Sequence, residues 1–131
     1  MTFIDSNIPM YLLGSDHPHK ADARILIERL IAAGQRLVTD AEVMQEIIHR
    51  YVAIRKREII APAFRLMLDL VDEVFPVEQS NVIRASQIAG MPAQVSARDA
   101  VHIAVMEQRG VTSILTFDKD FDRWPGLRRV H

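Results

Sequence analysis

Short β-prone runs alternate with longer helical patterns along nearly the whole chain. This order constrains the fold most, because strands separated by helices pair most simply as parallel βαβ units. Residues 2–4 read as the first strand, ended by Asp5-Ser6-Asn7, and residues 36–39 as the second. Between them, residues 20–33 carry Ala23, Ile27, Leu30 and Ile31 at helical spacing, with Gly34 as the closing glycine. Residues 40–57 form the longest helical pattern, its apolar stripe running through Val43, Met44, Ile47, Ile48, Tyr51 and Ile54. Arg55-Lys56-Arg57 at its end complements the helix dipole.

Pro62 opens a further helix, to about residue 73, and residues 80–89 a short one stopped by Gly90. Residues 74–77 fit a strand only at a sheet edge, because Pro76 lacks the N–H that a central strand needs. Ser96 opens an Ala-rich, almost wholly apolar helix that ends at Arg109-Gly110, a composition that predicts burial against the sheet. Residues 113–117 are the clearest strand and run into Asp118-Lys119-Asp120; residues 127–130 suggest an edge strand. The expectation is one α/β domain over residues 1–131, with a central, mostly parallel sheet of four to five strands flanked by helices.

Hydrophobic residues make up 49% of the chain and charged residues 25%, which excludes a disordered class. Cysteine is absent, so there is neither a disulfide framework nor a thiolate metal site. The amino-terminal stretch lacks a basic n-region and a long apolar core, and no segment approaches the roughly 18 apolar residues of a membrane helix; a cytoplasmic protein is expected. Net charge is −1, so a polyanion must be held by a local patch, by metal ions, or by both.

Asp5 and Asp118 each follow a strand directly, where ligands bind in open parallel sheets, and Glu46 and Asp99 lie near the starts of helices. The four are expected to share one acidic pocket. Such carboxylates repel, and their pKa values rise unless a cation joins them. With only oxygen ligands the cation is a hard one, Mg²⁺ or Mn²⁺, and the reaction that fits is phosphodiester hydrolysis.

Each residue also has a structural alternative. Asp5 or Ser6 caps a short helix after the first strand; Glu46 pairs with Arg50 at i+4; Ser96-Ala97-Arg98-Asp99 has capping-box form; Asp118, Asp120 and Asp122 shape a turn. Glu42 competes with Glu46, but Thr39-Asp40-Ala41-Glu42 is a capping-box pattern that gives it a structural purpose. An EF-hand fails, because Arg123 and Arg129 stand where glycine and glutamate belong. His17 and His19 read as a solvated loop and His102 as a hydrogen-bonded packing residue. Arg98, Lys119, Arg123, Arg128 and Arg129 are candidates for a phosphate-binding patch, foremost Arg98 and Lys119, which flank proposed ligands.

Four segments in order, FIDSN, VTDAEVMQEIIHRY, SARDAVHIAVMEQRGV and ILTFDKDFD, resemble the PIN domain, and more closely the VapC-like ribonuclease toxins of toxin–antitoxin pairs. The resemblance implies a PIN-like three-layer fold and a Mg²⁺-dependent endoribonuclease whose acidic residues correspond to Asp5, Glu46, Asp99 and Asp118. It further implies that Asn7 and Thr116 orient ligands or substrate, with Asp120 near them, and that the protein forms a homodimer silenced by a small antitoxin. Two other readings compete. An aspartyl-phosphate phosphatase normally continues Asp-x-Asp, whereas Asn7 stands here. A binding module that keeps the fold without the activity does not need all four acidic residues.

Overall fold

A computed structural model describes all 131 residues. The strands are β1 (Thr2–Ile4), β2 (Leu37–Asp40), β3 (Glu73–Phe75), β4 (Ser113–Leu115) and β5 (Arg128–Arg129). All pair in parallel, in the order β3-β2-β1-β4-β5. The expected "mostly parallel" sheet is thus wholly parallel, and β3 and β5 are its two edges. Pro76 lies just beyond the end of β3, where no ladder bond is lost.

The helices are α1 (Asn7–Leu13), α2 (Pro18–Ala32), α3 (Ala41–Ala53), α4 (Ile60–Leu70), α5 (Gln79–Ala89) and α6 (Ala97–Arg109). Right-handed crossovers put α1 to α4 on one face of the sheet and α5 and α6 on the other. The packing agrees: α1 meets α2 and α4, α3 meets α4, and α5 lies along α6, while α3 also meets α6, where Glu46 reaches His102. A core of 26 buried apolar residues joins the layers, with Phe3, Ile4, Val38 and Ile114 fully buried on the three central strands. At about 25 cal/mol per Å² of apolar surface, these side chains supply the main stabilisation of the fold.

Most element ends fall where expected. Gly110 closes α6 with φ 70°, a conformation that costs a glycine little. The helix expected over residues 40–57 stops earlier, at Ala53, because Arg55 adopts φ 60°. The Lys56 N–H then bonds the Tyr51 carbonyl (2.8 Å) and the Arg55 N–H that of Val52 (3.1 Å), a Schellman closure built without glycine. Arg55, Lys56 and Arg57 therefore lie beyond the helix rather than in its last turn.

β1 is flanked by β2, which follows it in sequence, and by β4, which arrives from the opposite side. This is the switch point where strand order reverses and a crevice opens at the carboxyl ends of the strands. Asp5 follows β1, Asp40 ends β2, and Thr116 to Asp118 follow β4.

Candidate active site

Asp5 is buried at the end of β1, 5% exposed, and its N–H is held by the Leu115 carbonyl of β4. Its Oδ1 accepts from the Ser6 N–H (2.7 Å) and its Oδ2 from the Thr116 hydroxyl (2.6 Å). Thr116 is the hub of this corner: its Oγ1 also accepts from Asn7 Nδ2 (3.1 Å) and from the Asp118 N–H (3.0 Å). One hydroxyl thus fixes residues that follow both central strands. Asn7 Nδ2 reaches Asp5 Oδ2 as well (3.5 Å), while Asn7 Oδ1 is buried with no hydrogen-bond partner.

Glu46 lies on the second turn of α3 and is 8% exposed. It does not pair with Arg50. Its Oε2 accepts from the Ser6 hydroxyl (2.8 Å), and its Oε1 lies 2.6 Å from Nε2 of His102. Ser6 therefore does not use its side chain to cap α1, and neither does Asp5. The Thr39–Glu42 capping box does not form either. Asp40 is the cap, its Oδ1 accepting from the Val43 N–H (2.8 Å), while the Thr39 hydroxyl donates to the Ile4 carbonyl across the sheet (2.8 Å). Glu42 is left half-buried near Glu46, its carboxyl raised by burial, by Glu46 and by Asp40, with His102 opposing. Glu42 has no capping role to set it apart from Glu46; what distinguishes the two is burial.

His102 is a buried, hydrogen-bonded residue, as expected, but its partners are both acids: its Nδ1 also lies 2.8 Å from Asp40 Oδ2, so the ring bridges two carboxylates. Burial alone lowers the imidazole pKa, but Asp40 and Glu46 outweigh it and raise the pKa well above 6.5. Both ring nitrogens thus lie within hydrogen-bond distance of a carboxylate oxygen, an arrangement that favours the charged, doubly donating ring. Burial likewise pushes Glu46 up, but the hydrogen bond and charge of His102, with the Ser6 hydroxyl, bring it below the ordinary value.

Ligand atoms of Asp5, Glu46 and His102 lie within 4.8 Å of one another, and Asp99 and Asp118 are not part of that tight group. They border it electrostatically. Asp99, in the first turn of α6, is pushed up to about 6 by burial and by the charges of Asp5 and Asp118. Ser96 caps α6 by accepting from the Asp99 N–H (3.2 Å), so the capping role is also real. Asp5 is raised by burial, with Glu46 adding and His102 and Thr116 opposing.

The other candidates separate from this cluster. Asp118 caps a 3-10 turn, Lys119–Arg123, by accepting from the Asp120 N–H (2.9 Å). Asp120 is exposed beside Arg123 (3.4 Å), and Asp122 takes a two-pronged bond from Arg129 (3.0 and 3.1 Å). Arg128 donates to the Ser113 hydroxyl (3.0 Å). Arg98 and Lys119 are exposed, and the Arg98 charge acts on Glu42 and Glu46. Arg98 also lines a groove of about 730 Å³ with Ser6, Asn7, Glu46, Arg50 and Lys56. His17 is exposed, as expected, and caps α2 by accepting from the His19 N–H (3.0 Å), whereas the His19 ring stacks on Phe117 (4.1 Å, 9°) and meets Tyr11 edge-on (5.0 Å).

The donor set fits a hard divalent cation. It offers carboxylates of which one is destabilised by its neighbours, together with the unpartnered Oδ1 of Asn7.

A wholly parallel sheet with a buried acidic centre at its switch point defines an α/β protein whose chemistry sits outside the carboxyl ends of β1 and β4. The chain belongs to the PIN domain family, which it matches over residues 2–127. It is 52% identical over 130 residues to ribonuclease VapC13 of Mycobacterium tuberculosis, covering 99% of each chain. The fold matches that of M. tuberculosis VapC20, a sarcin-ricin loop cleaving toxin, with a TM-score of 0.75, 21% identity and 93% of each chain covered. It also matches a chain of a toxin–antitoxin complex from Klebsiella pneumoniae, with a TM-score of 0.69, 16% identity, and 100% of this chain and 97% of that one covered.

Proposed function

We propose that this protein is a Mg²⁺-dependent endoribonuclease, the toxin of a toxin–antitoxin pair, with Asp5, Glu46, Asp99 and Asp118 as its metal-binding carboxylates. The ribonuclease class follows from family membership and from the 52% identity to a VapC ribonuclease. One arrangement carries the metal assignment: the Asp5 and Glu46 carboxylates lie within 4.8 Å of each other, bordered by Asp99, which burial and the charges of Asp5 and Asp118 raise to about 6, a set that a divalent cation stabilises. When bound, Mg²⁺ supplies an activated water and charge stabilisation at phosphorus.

The chain's own residues do the rest. Thr116 and Asn7 hold Asp5 at a fixed angle, and the Thr116 hydroxyl, accepting from the Asp118 N–H, fixes the start of the Asp118 turn. Arg98, at the mouth of the groove, and Lys119, next to Asp118, contact substrate phosphates. Asp120 orients the turn through its N–H bond to Asp118 rather than by binding metal. Asp122 is engaged by Arg129 and has no part in the site. No helix is long and apolar enough to cross a membrane. A cytoplasmic location and a homodimer belong to this reading through the resemblance to VapC-like toxins. The likeness to a chain of a toxin–antitoxin complex supports a small antitoxin as its partner.

A decisive test is cleavage of a single-stranded RNA by metal-free protein, with Mg²⁺ or Mn²⁺ then added back. Cleavage is expected only after addition, and full cleavage in EDTA overturns the metal mechanism.

A further inference from the structure

The family reading accounts for the carboxylates but assigns nothing to His102, Asp40 or Ser6. These three form one hydrogen-bonded chain with Glu46: Asp40 Oδ2 to His102 Nδ1 (2.8 Å), His102 Nε2 to Glu46 Oε1 (2.6 Å), and the Ser6 hydroxyl to Glu46 Oε2 (2.8 Å). The two ends of the chain are fixed by the fold. Asp40 is fully buried at the end of β2 and is locked as the cap of α3 by the Val43 N–H. Ser6 follows Asp5 at the end of β1, and its N–H holds Asp5 Oδ1.

A glutamate has three side-chain torsions and swings freely unless its oxygens are held. Here each oxygen is held from a different element, Oε1 from α6 and Oε2 from the loop after β1. We infer that His102 and Ser6 are positioning residues that clamp the Glu46 carboxylate in its metal-binding orientation, and that Asp40 anchors the clamp. The inference rests on Glu46 being a metal ligand. Hydrogen-bond partners of ligating carboxylates fix ligand geometry, and losing one typically weakens metal affinity by roughly 10–100-fold.

The structure supplies a paired test. Glutamine at position 102 places its amide N–H near the position of Nε2 and keeps the bond to Glu46, whereas asparagine places its N–H near Nδ1 and keeps only the bond to Asp40. Mn²⁺ affinity of the full-length protein is read by calorimetry for wild type, Glu46→Ala, His102→Gln, His102→Asn and Ser6→Ala, with thermal melts reporting folding.

His102→Asn is expected to weaken Mn²⁺ binding about 10-fold or more, and His102→Gln to retain most of the affinity. Ser6→Ala, at a half-buried position with no capping bond to lose, is expected to weaken it by a few-fold. In the Glu46→Ala background none of these changes has a further effect. If Asn and Gln at position 102 behave alike, or if their losses persist in the Glu46→Ala background, His102 serves packing only and the inference falls. Should both His102 variants fail to fold, Ser6→Ala decides: unchanged affinity removes the clamp. If Glu46→Ala itself leaves Mn²⁺ affinity intact, it is the ligand assignment of Glu46 that fails.

Discussion

Two acidic groups meet at the end of β4, and their electrostatics are opposite. The inner one is Asp5, which is buried, with the half-buried Asp99 and Asp118; Asp5 and Asp118 act on Asp99, and the buried histidine that opposes them, His102, is already engaged by Asp40 and Glu46. Asp120 and Asp122, two and four residues beyond Asp118, face solvent, and each has an arginine beside it, Arg123 and Arg129. The hydrogen bonds of Arg129 and its charge hold Asp122 below the ordinary carboxylate value, while burial and repulsion hold Asp99 above it. Acidic residues close together in sequence are therefore no guide to a site. What separates the two groups is whether the protein supplies the counter-charge, and the inner group is where it does not.

The largest expected effect breaks the inner group alone. Asp5→Asn keeps the shape of the side chain and an oxygen that accepts the Thr116 hydroxyl, and gives up only the bond from the Ser6 N–H, so the fold should persist while cleavage falls on the order of 10³-fold or more. A single-turnover assay on one RNA, with a melt of the same preparation, checks both halves. Residual activity within tenfold of wild type would show that the inner group is not the reacting centre.

The next effect concerns stability and pH. The Asp99 pKa is raised from 3.8 to about 6, so between these values the folded chain binds more protons at Asp99 than the unfolded chain, and stability falls as pH rises through that window. Metal-free Asp99→Asn should therefore be more stable than wild type at pH 7, on the order of 1 kcal/mol once solvent screening is allowed for, and no more stable at pH 4. Divalent metal reverses the comparison. At a hundredfold excess over its Kd, Mn²⁺ stabilises wild type by about 2.7 kcal/mol, and the variant by less. Denaturant melts at both pH values, with and without Mn²⁺, check the sign; a metal-free variant less stable at pH 7 would show that Asp99 is not under repulsion.

How much of this was legible in the sequence follows from the range of the forces involved. Strands and helices were readable because local pattern sets them: Gly34 and Gly110 announce their helix ends, and Asp5 and Asp118 follow recognisable strands. The early end of α3 was not readable, because Arg55 takes a left-handed conformation that arginine rarely adopts and that carries no sequence signal. The roles of Thr39 and Asp40, and the partners of His102, were missed for a related reason. Ser/Thr-x-x-Glu looks the same whether the cap is Thr39 or its neighbour, and the bond from His102 to Asp40 spans 62 residues. One signal was available: a histidine at the centre of an otherwise apolar helix needs buried partners, and buried acids are the partners that hold it charged.

The smallest effect is expected in the outer group, and it tests the comparison as directly as the largest. Asp122 and Arg129 are joined by two bonds of 3.0 and 3.1 Å, an arrangement that on geometry alone looks stronger than any contact of Asp118. Yet the Asp122 side chain is 53% exposed, and water and salt screen such a pair until little of it reaches the stability of the fold. Asp122→Asn should therefore melt with wild type and cleave RNA at the wild-type rate. A loss of cleavage comparable to that of Asp5→Asn, with the melt unchanged, would place Asp122 within the reacting centre and erase the boundary between the two groups.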